Sequence, residues 1–99
     1  MDNTYTIDEI KNIVTPIAKN YDVERIYLFG SYARGEATPN SDIDLRVDKG
    51  NLKGLFALGA MYEDLKDGLG KKIDLLTTGS LDQTFLTSIA NEEVLIYAG

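Results

Sequence analysis

Two short segments concentrate the residues able to do chemistry. The first is Leu28-Phe29-Gly30-Ser31-Tyr32-Ala33-Arg34-Gly35; after a six-residue spacer comes Asp42-Ile43-Asp44-Leu45. A strand that ends in Gly-Ser just before a helical turn offers free backbone N–H groups and the positive end of a helix, both suited to a phosphate. Gly30 carries no side chain, so the backbone can approach that phosphate closely. Asp42 and Asp44, at i and i+2 on a strand, share one face and can clamp the same cation. If the two strands run antiparallel, the end of the first lies beside the start of the second, and cradle and carboxylates meet. Asp74, in Lys72-Ile73-Asp74-Leu75, sits where a neighbouring strand can add a third carboxylate. Carboxylates about 5 Å apart repel by about 3 kcal/mol per pair at an effective dielectric near 20, so three together call for one or two Mg²⁺.

The elements that must position these groups can be read from periodicity. Thr6 and Glu9 have the spacing of a capping box, and Ile7, Ile10, Ile13, Val14 and Ile17 then recur on one helical face, which predicts a helix over 7–20. Pro16 lies inside it and predicts a bend or an early end. Residues 23–29 are rich in β-branched and aromatic types and end at Gly30, as a buried strand does. One or two helical turns fit between Ser31 and Gly35, and Thr38-Pro39-Asn40-Ser41 reads as a loop. Residues 42–48 alternate strictly, with Ile43, Leu45 and Val47 on one side and Asp42, Asp44, Arg46 and Asp48 on the other. A second long helix follows from Leu52 through Leu65, stopped by the glycines at 68 and 70, with Gly54 or Gly59 a candidate for close approach to the sheet. A third strand over 72–77, a helix opened by Ser80 and Gln83 and running to Asn91, and a short strand over 93–97 complete the chain. The order αβαβαβα with a final strand predicts one α/β domain over 1–99, helices packed on a small sheet.

Composition narrows the chemistry further. The 99 residues are 43% apolar and 26% charged, within the globular range. Ten basic against 16 acidic residues give −6, with −3 in each half of the chain and no basic block for a nucleic-acid backbone. There is no cysteine and no histidine, which excludes thiolate nucleophiles, Ser-His-Asp triads and zinc fingers. Any reaction here runs on carboxylates, hydroxyls and hard cations. The start, Met1-Asp2-Asn3-Thr4, is acidic and polar where a signal peptide is basic and then apolar, and no apolar run is long enough to span a membrane. A cytoplasmic protein is expected.

Other readings of the same residues stay open at this stage. Asp42 and Asp44 also suit the solvated face of an edge strand. Arg34 can reach a phosphate or pair with Glu36, Ser41 has the place of a turn residue, and Lys71 and Lys72 suit either a triphosphate or a solvated strand entrance. Asp48 lies about 13 Å along the strand from Asp44, too far for a shared ligand.

Gly30-Ser31-Tyr32-Ala33-Arg34-Gly35 together with Ser41-Asp42-Ile43-Asp44-Leu45 resembles the signature of the minimal nucleotidyltransferases, small members of the DNA polymerase beta-like nucleotidyltransferase superfamily. The resemblance covers nearly the whole chain. It implies that Gly30 and Ser31 engage the phosphates of the nucleotide, with Arg34 a further candidate for phosphate contact on its position alone. It also implies that Asp42 and Asp44 ligate Mg²⁺ and that Asp74 is the third catalytic carboxylate. The implied activity is transfer of AMP to a hydroxyl. Because the chain has no extra domain to grip a small molecule or a nucleic acid, the resemblance points to a protein acceptor, a tyrosine of a HEPN toxin, and to an antitoxin role. Two other functions fit the same residues: a nucleotide-binding module that neutralises its partner by contact, and the catalytic half of a two-protein transferase.

Overall fold

The computed structural model describes residues 4–99; residues 1–3, on which the acidic and polar N-terminal reading rests, lie outside it. The elements are α1 (Ile7–Tyr21), β1 (Arg25–Phe29), α2 (Gly30–Arg34), β2 (Ile43–Asp48), α3 (Leu55–Leu69), β3 (Ile73–Thr77), a 3₁₀ turn (Thr78–Ser80), α4 (Gln83–Ile89) and β4 (Val94–Ala98). The strands form one mixed sheet in the order β3-β2-β1-β4. β1 is antiparallel to β2 and to β4, and β2 is parallel to β3 through the α3 crossover.

Alternation divides the sheet into two faces. Ile26 and Leu28 pair with Val47 and Leu45, and Ile43 pairs with Ile73; all are buried on the face covered by α1 and α3. α1 contributes Ile10, Val14 and Ala18, and α3 contributes Met61, Leu65 and Leu69. A Leu or Ile to Ala change in such a core costs about 2–5 kcal/mol. The opposite face carries Tyr27, Phe29, Asp44, Arg46, Asp48 and Asp74, and is approached by α2, the 3₁₀ turn, α4 and the turn that follows α4.

Local signals decide most boundaries. The Thr6–Glu9 capping box is present in both directions, at 3.1 and 2.8 Å. The helix it opens runs through Pro16 to Tyr21, so the early end, one of the two expectations there, does not occur. Pro16 lies on the exposed side, where the carbonyl it leaves unpaired meets water, while the Thr15 hydroxyl bonds the Lys11 carbonyl at 2.7 Å.

Two glycine assignments change. Gly59 faces open space, whereas a Cβ on Gly68 would stand 3.0 Å from Ile17 Cδ1. The close approach is therefore between α3 and α1, not between α3 and the sheet. Gly68 stays helical, and Gly70, at φ +64°, ends α3 as its left-handed cap. The last helix is also capped differently from expectation. Asp82, not Ser80, accepts from the Phe85 N–H at 2.8 Å, and Ser80 is spent in the 3₁₀ turn on the Thr77 carbonyl. α4 ends at Ile89 rather than Asn91.

Candidate active site

Phe29 and Asp44 are cross-strand partners in the antiparallel β1–β2 pair, so the chain leaving β1 at Gly30 passes directly over Asp44. Gly30 adopts φ +75°, and a Cβ there would lie 2.0 Å from Asp44 Oδ2 and 2.9 Å from its Cγ. Glycine is thus required twice at this position, by the left-handed backbone and by the carboxylate beneath it. Ser31 follows in the first turn of α2, and Gly35, at φ +74°, closes that helix by donating to Ser31 and Tyr32 carbonyls.

Asp44 and Asp74 are partners in the parallel β2–β3 register and share the open face. Burial, a hydrogen bond with Asp74 and the charges of Asp74 and Asp42 push the Asp44 carboxyl up to about 6, with Arg34 opposing. Asp42 stands just before β2, with its Oδ2 3.9 Å from Lys72 Nζ. As the side chains stand, no three acidic groups among the described residues lie close enough to hold a metal ion. The structure pairs Asp44 with Asp74 and leaves Asp42 at the strand entrance. The donor set nonetheless suits a hard divalent cation: oxygen ligands only, with negative charge on Asp44 that the surrounding groups do not neutralise.

The remaining residues singled out from sequence are accounted for. Arg34 bonds Glu36 Oε1 at 2.8 Å and Glu92 Oε2 at 3.0 Å. Ser41 closes the 38–41 turn, accepting from the Thr38 N–H at 2.8 Å and donating its own N–H to the Thr38 carbonyl at 3.0 Å. Lys71 donates to the Pro39 carbonyl at 2.8 Å. Asp48 belongs to a separate cluster. Burial works against its charge, but hydrogen bonds from Thr78 and Arg25 and the Arg46 charge outweigh it and hold its carboxyl below the usual range. Arg46, 7% exposed, stacks 4.1 Å from the Tyr27 ring centroid and grips Glu93 with two bonds of 3.0 and 2.8 Å.

One residue at the site had no sequence signal. Phe29 has no side chain able to cap α2; instead the Gly30 N–H donates to Glu92 Oε2 at 2.7 Å, across 62 positions of sequence. The β1–β4 pairing, which brings Val94 opposite Leu28, sets Glu92 beside the end of β1.

Comparison with known proteins gives a consistent picture. The polymerase beta nucleotidyltransferase family model matches residues 11–99. A Methanocaldococcus jannaschii protein, MJ0435, provisionally named a protein adenylyltransferase, is 41% identical over 88 residues, covering 89% of this chain and 95% of its own. The protein adenylyltransferase MntA of Thermococcus cleftensis is 33% identical over 95 residues, covering 92% and 96%. Among solved structures, a toxin–antitoxin complex with AMP-PNP superposes with a TM-score of 0.76 at 23% identity, over 90% of this chain and 73% of that one. The complex of a tri-AMPylated Shewanella oneidensis HEPN toxin with its MNT antitoxin superposes at 0.71 and 19% identity, over 95% and 74%. With the family model spanning α1 to β4 and the Gly-Ser turn set over the Asp44–Asp74 pair, the chain is a minimal nucleotidyltransferase of the polymerase beta nucleotidyltransferase family.

Proposed function

We propose that this chain transfers AMP from ATP to a tyrosine hydroxyl of a partner HEPN toxin and acts as its antitoxin. The observation that carries the reading is the seating of Gly30 directly over Asp44, itself in register with Asp74. That arrangement sets a phosphate-binding turn against a carboxylate pair. Protein adenylyltransferases at 41% and 33% identity and toxin–antitoxin complexes of the same fold support the acceptor class.

Each residue then has a role. The amides and hydroxyl of the Gly30–Ser31 turn hold the β- and γ-phosphates, and Arg34 adds charge beside them. Asp42, Asp44 and Asp74 would hold Mg²⁺, which supplies polarisation of the α-phosphorus and stabilises the pyrophosphate leaving group. Asp74, at the free edge of the sheet, takes the proton of the attacking hydroxyl. The acceptor oxygen bonds to the α-phosphorus as the bond to the pyrophosphate oxygen breaks, giving an AMP ester and pyrophosphate. Asp42 borders an open groove of about 610 Å³ between the start of α1, the 39–42 loop and Lys71–Lys72, which Gly30, Ser31, Asp44 and Asp74 do not line.

A contact inhibitor is the second reading, and it draws on Leu55 and Phe56, 85% and 97% exposed at the start of α3. Incubating the chain with its toxin, ATP and Mg²⁺ and weighing both proteins separates the two. A toxin heavier by whole AMP units supports transfer; a tight complex of unchanged masses refutes it.

A further inference from the structure

We propose that Glu92 occupies the position of a phosphate oxygen in the nucleotide site and so sets how tightly the chain binds a triphosphate. The inference rests on the reading above that the turn from Gly30 to Arg34 holds phosphates. Its own basis is geometric: one oxygen, Glu92 Oε2, receives both the Gly30 N–H at 2.7 Å and Arg34 Nη1 at 3.0 Å. A backbone amide and a guanidinium converging on a single anionic oxygen is how a non-bridging phosphoryl oxygen is bound.

The surroundings keep the carboxylate there without locking it. Glu93 is fixed by its two bonds to buried Arg46, and the Glu92 and Glu93 N–H groups both donate to the Ile89 carbonyl at 3.0 Å. Phe85 packs edge-on against Phe29, the residue before Gly30, with ring centroids 5.9 Å apart. The backbone of the α4–β4 turn is thereby tied to the end of β1. The Glu92 side chain is 25% exposed, and rotation about its own bonds carries the carboxylate into water with the backbone in place. Arg34 keeps its 2.8 Å bond to Glu36 when Glu92 leaves, so the guanidinium stays beside the turn. A triphosphate entering the site exchanges one anion for another, and its affinity is lowered by the contact it displaces.

The test measures binding of ATP with Mg²⁺, and of tripolyphosphate as a probe without the nucleoside, to the full chain by calorimetry. Glu92→Gln removes the charge and keeps an acceptor for the Gly30 N–H; Glu92→Ala empties the position. Both are expected to bind the two probes about tenfold more tightly, the factor for losing a competing charge-assisted contact. Unchanged or weaker binding in Glu92→Gln, with a melting curve showing the variant folded, overturns the proposal. Ser31→Asp in the parent separates the two levels. If it abolishes ATP binding while Glu92→Gln changes nothing, the phosphate turn stands and the role of Glu92 falls. If ATP binding ignores Ser31→Asp, the phosphate turn itself is wrong.

Discussion

Replacing Gly30 by alanine perturbs two things that a matched control can separate. Gly30 and Gly35 share nearly the same left-handed backbone, φ +75° and +74°, but a Cβ at Gly30 meets Asp44 Oδ2 at 2.0 Å while one at Gly35 meets nothing within 4 Å. The conformational cost of a non-glycine residue is about 1–2 kcal/mol at either position. At Gly30 the Asp44 carboxylate must also move by more than 1 Å, because carbon and oxygen need about 3.4 Å of separation; forcing its side chain off a rotamer adds about 0.5–1.5 kcal/mol. Gly35→Ala is therefore expected to lower Tm by about 4–16 °C and Gly30→Ala by a further 2–12 °C, at ~4–8 °C per kcal/mol for a domain of this size. The larger effect falls on activity. A displaced Asp44 leaves the pairing with Asp74, so Gly30→Ala should lose AMP transfer while Gly35→Ala keeps it. In an Asp44→Ala background most of the extra stability cost of Gly30→Ala should disappear, leaving only the 3.3 Å contact with the Cβ of residue 44, a coupling that a double-mutant cycle reads directly. Equal melting shifts for the two glycine variants, with transfer retained in both, would refute the close approach of Gly30 to Asp44.

The stability of the cation-free chain should depend on pH through Asp44. Its folded pKa of about 6 lies above the usual 3.8, so the native state binds more protons between the two values and melting temperature rises as pH falls from 6 toward 4. Asp44→Asn should abolish that rise and melt higher than the parent at pH 7; the opposite shift would show that the carboxylate supports the fold. Asp48 runs the other way: its contribution is present above 3.8 and is lost as pH falls through its lowered folded pKa, so the rise turns to a decline in stronger acid. Gly59→Ala, in an exposed helix interior with nothing near the new methyl, should stabilise by up to about 1 kcal/mol, whereas Gly68→Leu should destabilise by forcing α3 off Ile17; thermal melts of both decide it. Ser31→Ala should weaken ATP binding by about 1–2 kcal/mol, roughly five- to thirtyfold, measured by calorimetry. An unchanged affinity would remove Ser31 from the phosphate contacts.

What the sequence made legible was what is local or strictly periodic. The capping box at Thr6 and Glu9, the alternation from Ile43 to Asp48 and the strand-to-helix turn at Gly30 all appear where their spacing puts them. Asp74 was readable as an acidic residue between apolar neighbours, and the parallel register sets it beside Asp44. Glu92 was not readable, because its partner lies 62 residues away and no local pattern distinguishes it from Glu93 beside it. Glycines at 68 and 70 both carry the signal of a helix C-terminus, and sequence alone does not say which one stops the helix; Gly68 stays helical in close contact with Ile17 on α1, a tertiary fact no local pattern shows. Pro16 ends no helix for a similar reason: its neighbours Val14 and Ala18 are fully buried, and that packing holds the turn together.

The parallel pairing that joins β2 to β3 also acts as a proofreading device for assembly. A one-residue slip of β3 would carry Asp74 into the oily layer beneath the sheet and expel Ile73, which is 2% exposed, into water. Losing a buried isoleucine alone costs on the order of 2–3 kcal/mol, before the penalty for drowning a carboxylate in hydrocarbon. A chain that has threaded β3 wrongly is thus barely stable as well as inert. Populations that are well folded yet misaligned at the carboxylates should not accumulate, and specific activity should track the folded fraction in proportion, whatever the route by which the chain was refolded.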